Sequence, residues 1–277
     1  MSVNVNELEQ NDVAIGQGMK ASYQFNEYGR CIPAESLKAA AHKESRRYFQ
    51  IMQPKIDYQI IYNRLNERFH FDEQLTVDDF QSRAEAILQK LGADIQFSNV
   101  TQGVGVPFIL PKAQYDDIGK ALESDYLPGL EASFQGQFPA YSFVNHCSES
   151  LDGKLSVVEG SRHDELLAAM QKEVVVGYYF PSLLEYSVPA SIEQVGKLPA
   201  QFLLAGGFDT AAAFIGSPDL LLRTDGYPPL LWLSGLTTGN INMGYHFEAY
   251  GYGLTFNRRA HLGNVAEYWA SGLVVLG

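Results

Sequence analysis

Residues 244–276 read GYHFEAYGYGLTFNRRAHLGNVAEYWASGLVVL. Two segments, Gly244–Phe256 and Asn264–Leu276, are rich in aromatic or β-branched residues and contain no proline. They flank the polar connection Asn257–Gly263. This pattern predicts an antiparallel pair of strands, a long C-terminal hairpin whose ladder closes in by a residue or two at the connection. Side chains alternate along a strand, so His246, Glu248, Tyr250 and Tyr252 fall on one face. Tyr245, Phe247, Ala249, Gly251 and Gly253 fall on the other.

Upstream of this pair the chain is Gly-rich, with short apolar strands expected at Gln201–Leu204, Asp219–Arg223 and Leu230–Leu233. The last two are joined by the turn Asp225-Gly-Tyr-Pro-Pro229, where Gly permits positive φ and Pro holds its own φ at about −65°. Val174–Phe180 is a continuous apolar run bounded by Pro181, which suits a central strand. Glu131–Cys147 reads as strand-like, and Ala93–Leu110 as two short strands split by Gly103 and Gly105. Pro107 and Pro111 confine the second of these to a sheet edge or a strand end.

The helical signals gather earlier. Pro33 is placed to open a helix through Leu37, Ala40, Ala41, Tyr48 and Ile51. Ile56, Ile60, Leu65 and Phe69 follow at near-helical spacing. Thr76 precedes Asp79 by three residues, a capping box, and Gly92 marks the stop of that helix. Its inner face is Phe80, Ala84, Ile87, Leu88 and Leu91. Further helices are expected over Lys112–Ser124 and after Ser161, the latter with Leu166, Leu167 and Met170 buried. Residues 1–30 read as a polar arm with one short strand at Ala21–Phe25. The expected fold is α+β: an N-terminal helical region, then a mostly antiparallel, Gly- and Tyr-rich sheet ending in the hairpin. Residues 31–277 are expected to form a single domain, with a weak internal boundary near residue 95.

Composition narrows the classes of function. The 277 residues suffice to bury a real core, and 46% hydrophobic with 19% charged residues is a globular composition. A net charge of −12 repels phosphate backbones and anionic lipid, so no nucleic-acid or membrane partner is expected. The basic groups Lys43–Arg47 and Arg258–Arg259 are too small for a nucleic-acid footprint. No apolar run approaches the roughly 20 residues of a membrane helix. The first residues lack the basic and apolar regions of a secretory signal. Two cysteines, Cys31 and Cys147, lie far apart and are expected as free thiols in a cytoplasmic protein.

The sequence contains no phosphate-binding loop, no HExxH, no paired CxxC, no EF-hand loop and no GxSxG elbow. Gly103-Val-Gly105 lacks the third glycine of a dinucleotide fingerprint, and no cofactor is assigned. The candidate chemistry therefore rests on clusters. His246 is placed as acid or base, with Glu248 orienting it, because a carboxylate beside an imidazole tunes both. Asp225 is added as a third catalytic candidate, and Arg223 as a clamp for an anionic group. Tyr250 and Tyr252 extend the same face as ligand contacts. The alternative for that face is a wet strand surface, for Arg223–Asp225 a surface pair organising the turn, and for Cys147 beside His146 a small core residue. Asp209 is placed as the cap of a helix starting near Ala211. Two classes of function follow. One is a binding protein or enzyme with an aromatic-lined pocket for a small anionic or aromatic molecule. The other is a self-associating assembly subunit; a homo-oligomer is expected, with a particle of many subunits favouring this second class and a monomer or dimer the first.

Overall fold

Thr76 and Asp79 cap each other as their spacing predicts: Asp79 N–H donates to Thr76 Oγ1 and Thr76 N–H donates to Asp79 Oδ2, both at 3.1 Å. The computed structural model describes residues 23–41, 50–71, 75–222, 226–250 and 253–277. Its helices are α1 (Tyr58–Phe69), α2 (Val77–Ala93), α3 (Ile118–Ala121), α4 (Leu127–Gln137), α5 (His163–Lys172), α6 (Val188–Lys197) and α7 (Gly207–Gly216). Its strands are β1 (Val106–Leu110), β2 (Phe143–Asn145), β3 (Ser156–Val157), β4 (Val175–Leu184) and β5 (Leu203–Leu204). They continue with β6 (Leu230–Trp232), β7 (Leu236–Thr237), β8 (Met243–Tyr250), β9 (Gly253–Ala260) and β10 (Trp269–Leu276).

The main sheet runs β1-β4-β10-β6-β8-β9-β2, with β5 added beside β10; β3 and β7 form a separate small pair. Its ladders are antiparallel except β10–β6 and β9–β2. The fold is therefore α+β, with a mixed, mostly antiparallel sheet of eight strands among the described residues. β1 lies at the edge, where Pro107 interrupts no outer ladder.

A C-terminal hairpin is present, but its pairing corrects the expected one. Gly244–Phe256 is not a single strand: β8 pairs with β9, and the closing pair Tyr250↔Gly253 leaves two residues between them, a favoured hairpin length. Asn264–Leu276 does not join that ladder; β10 pairs with β4, β5 and β6, and β6 separates it from β8.

Other expectations shift in the same way. Residues 131–137 of the supposed strand Glu131–Cys147 belong to α4, leaving only β2 beyond. The helix expected over Lys112–Ser124 begins at Ile118 and runs on through one π turn, Leu122–Tyr126, into α4. The first of the two strands expected over Ala93–Leu110 is a 3-10 turn, Ser98–Gln102. A 3-10 turn, Glu35–Ala40, occupies the start of the helix expected from Pro33; residues 42–49 lie outside the described residues. Only an isolated bridge, Phe25↔Cys31, represents the arm strand, and residues 1–22 lie outside the described residues. The described part of Asp219–Arg223 is a turn, with Leu222 N–H donating to Asp219 O.

Register assigns the two faces of the sheet. Leu231↔Phe247 and Trp232↔His246 are paired positions, so Phe247 and His246 look opposite ways. On Phe247's side lies α7, with Phe214 5.1 Å from the Phe247 ring. All ten α7 residues are buried, as an all-round apolar helix requires. Its polar ends are then satisfied internally. Asp209 accepts from Gly206 N–H at 2.9 Å, Ser133 donates to Ile215 O at 2.6 Å, and Arg64 donates to Gly216 O at 2.9 Å. On His246's side, Val188 of α6 packs with Leu230, Trp232, Leu262 and Trp269 in a satellite cluster.

Two glycines with opposite surroundings test this packing. In α3, a Cβ on Gly119 meets Leu151 O at 1.9 Å, whereas a Cβ on Gly136 in α4 meets nothing within 4 Å. Gly119→Ala is expected to destabilise by about 1–3 kcal/mol despite the better helix former. Gly136→Ala is expected to stabilise by up to about 1 kcal/mol. Urea unfolding of both variants checks the pair, and equal effects of one sign would contradict the packing around Leu151.

Candidate pocket beside the end of strand β4

β4 does not stop at Pro181, where the sequence suggests, but runs on to Leu184. Its β1 ladder ends at Val106↔Tyr179, and its β10 ladder shifts register between Ser271 and Leu273, opposite the proline. Pro181 therefore sits where a lost N–H does least harm. Beyond Tyr179 another segment takes the place of β1: Cys31 N–H donates to Ser182 O at 2.8 Å.

That segment is a tight turn. The Asn26 side-chain oxygen accepts from the N–H groups of Tyr28 and Arg30, each at 3.0 Å. Gly29 has φ +76°, and a Cβ there meets Gly103 Cα at 2.4 Å, so two glycines let the turn press onto the 3-10 segment. Arg30 ties the turn down, donating from Nε to Leu184 O at 3.2 Å and lying 3.4 Å from Glu185 Oε2. The two side chains of this pair are only 7% and 3% exposed. From the other side, the Gln53 carboxamide mimics a strand rung on Gly105, donating to its O and accepting from its N–H at 2.9 Å each.

These ties enclose a pocket of about 670 Å³. Tyr178 and Phe180 wall it, their rings stacked at 5.1 Å and 23°. Gly105 makes room for them, since a Cβ there meets both rings within 2.9 Å. Ile51, Ile56, Leu88 and Val104 add aliphatic lining. Arg30 is the one charged residue among the described lining residues, and Glu185, its partner, is outside the lining. Ser182 Oγ is buried with no hydrogen-bond partner among the described residues. Burial first, and the neighbouring Tyr58 and Glu85, push the Tyr178 phenol above its ordinary range, so it stays neutral.

The residues nominated from the sequence lie elsewhere. His246 and Glu248 do share a face, with Nε2 3.4 Å from Oε2, but neither lines the pocket. The His246 side chain is 0% exposed, its ring 4.9 Å from that of Trp232, which itself meets Trp269 edge-on at 4.9 Å. The wet-surface alternative therefore fails for His246. Glu248 is 28% exposed and also lies 3.7 Å from Arg259, whose guanidinium donates to Tyr268 Oη at 2.9 Å. Burial lowers the His246 pKa, with Glu248 opposing; contact with His246 lowers that of Glu248, with burial opposing. Arg223, Asp225 and Tyr252 lie outside the described residues, and Tyr250 ends β8 opposite Gly253.

The remaining candidates have structural settings. Asp209 is the third residue of α7, not its N-cap; it caps Gly206 from inside the helix. Both thiols are free, with burial pushing Cys31 up to about 12 and Cys147 up to about 11. Thiols held that high are poor nucleophiles. Among the described residues no cluster of three His, Cys, Asp or Glu side chains could hold a metal, and no helix is long and apolar enough to cross a membrane.

Sequence reasoning missed Arg30, Gln53 and Ser182, whose roles come from contacts across the fold. One signal was available: Gly103-Val-Gly105 spaces two glycines where backbones approach closely. The fold and pocket define an α+β protein with an aromatic-walled cavity. No protein-family model, no curated protein and no solved structure matches the chain.

The buried imidazole carries a test. A lowered folded-state pKa means that the unfolded chain binds the proton more readily, so stability rises with pH through this group. His246 therefore favours folding above about 6.5, the ordinary imidazole value, and that contribution is lost as pH falls through it. The depressed Glu248 pKa acts in the same direction at lower pH. The wild-type melting temperature is expected to drop on acidification through about pH 6.5, and His246→Gln to flatten that drop. Identical slopes in the two proteins, measured by thermal melts across pH, would refute the assignment.

Proposed function

We propose that this protein binds a small organic molecule in the pocket between the Asn26–Arg30 turn and the end of β4. The observation that carries the reading is the pocket itself. About 670 Å³ lies within the range of ligand sites, roughly 300–1,000 Å³. The composition of its walls supports the same reading, with aromatic and aliphatic surface interrupted by a few polar groups. So does its construction, since Gln53, Arg30 and the Gly29–Gly103 contact hold three segments in place before any ligand arrives. The sequence suggested an aromatic-lined pocket around His246; the reading here keeps the class of ligand site and moves it to β4.

A screen of small organic fragments by ligand-observed NMR, against the wild type and Leu88→Trp, tests the reading. Leu88 is half-buried on the α2 wall, so the larger indole takes up pocket volume. Several fragments are expected to bind the wild type, and at least about tenfold more weakly to the variant, with its melting temperature held within a few degrees. An absence of hits, or hits indifferent to Leu88→Trp, would overturn the proposal.

A further inference from the structure

Resting on that reading, we infer that the pocket takes a flat, electrically neutral aromatic molecule carrying one hydrogen-bonding substituent that meets Ser182. Three independent features of the lining point to it. The first is shape. Tyr178 and Phe180 occupy alternate positions of β4, so both rings stand on one side of the strand, near-parallel at 23°. Gly105 lets them lie against the backbone, because a side chain there displaces both. Only 4% of Tyr178 and 1% of Phe180 is exposed, so the ligand meets the small part of these rings that borders the pocket, where an aromatic contact adds to area burial in a way that a puckered aliphatic ring does not.

The second is charge. The described lining holds no carboxylate, so an organic cation entering it gives up water without a counter-ion. Arg30 does not favour an anion in return. Glu185 lies 3.4 Å from its guanidinium and is itself buried, so the pair presents little net charge to the pocket. The chain's overall charge of −12 weighs further against anions. A neutral molecule escapes both costs.

The third is Ser182. Its residue is 5% exposed and lines the pocket, and its hydroxyl has no hydrogen-bond partner among the described residues. A buried hydroxyl left unpaired costs free energy in the empty protein. A ligand hydroxyl or carbonyl that reaches it recovers that cost, which makes Ser182 a specificity point in the pocket. The same reasoning makes Ser182→Ala a clean variant: it removes a group with no partner among the described residues, so stability holds or rises while the ligand contact is lost.

Four probes of similar size separate these features by calorimetry and ligand-observed NMR: naphthol, naphthoate, naphthylmethylammonium and decahydronaphthol. Naphthol is expected to bind the wild type at least about tenfold more tightly than each of the others, and Ser182→Ala to weaken naphthol about fivefold to tenfold with no loss of melting temperature. Decahydronaphthol binding as well as naphthol overturns the aromatic requirement. Naphthoate or naphthylmethylammonium matching naphthol overturns the neutral one, and an unchanged affinity in Ser182→Ala overturns the role of Ser182. In each of these cases binding that is still lost in Leu88→Trp leaves the pocket standing as a ligand site. No binding by any probe, with the fragment screen also empty, removes the site and the inference together.

Discussion

β4 is longer than its outer neighbour, and much of the molecule follows from that mismatch. β1 reaches only Tyr179, while β4 continues to Leu184. Buried backbone polar groups left without a partner cost as much as a broken hydrogen bond, so the exposed stretch must be covered. The segment around Cys31 covers it with a single backbone bond to Ser182 rather than a full strand. A turn set against a strand end fits less closely than a ladder, and the space left between them is the pocket. Pro181 belongs to the same local arrangement, because its missing N–H falls where the opposite ladder shifts register.

The two faces of the sheet solve burial differently. On one side α7 is enclosed on all sides, and Asp209, Ser133 and Arg64 supply partners for polar backbone groups at its ends. Asp209 shows the strain of that solution. Burial raises its pKa, while the charge of His163 and the N–H of Gly206 oppose the shift. On the other side α6 covers a smaller apolar patch built on two tryptophans. There His246 is shut in against Trp232, Ser271 Oγ lies 2.6 Å from Ser234 Oγ, and Glu248 with Arg259 closes the outer edge. The imidazole and its carboxylate behave as part of a half-buried polar border, where burial governs the histidine and contact with the histidine governs the glutamate.

Local chemistry in the sequence carried the helices whose boundaries are set by their own residues. The Thr76–Asp79 box, the inner face of α2, the apolar run of β4 and the edge position of Pro107 were all legible, because caps, periodicity and a missing N–H act over a few residues. His246 and Glu248 as same-face neighbours were legible for the same reason, since strand alternation has a fixed period.

What the tertiary structure alone decided is which elements meet. Two adjacent strand-like segments at the C-terminus looked like partners, yet β10 is central and takes β4, β5 and β6, because strand pairing is settled by which faces can be buried together. The pocket was beyond the reach of sequence for a related reason. Arg30, Gln53, Leu88, Gly105 and Ser182 come from five separate stretches of chain, and each acts through a contact with another stretch. The sequence by itself determined the class of fold, the Thr76–Asp79 cap, and the alternation that pairs His246 with Glu248. The location of the cavity depended on a strand outrunning its neighbour, a difference in length that exists only once the two are laid side by side.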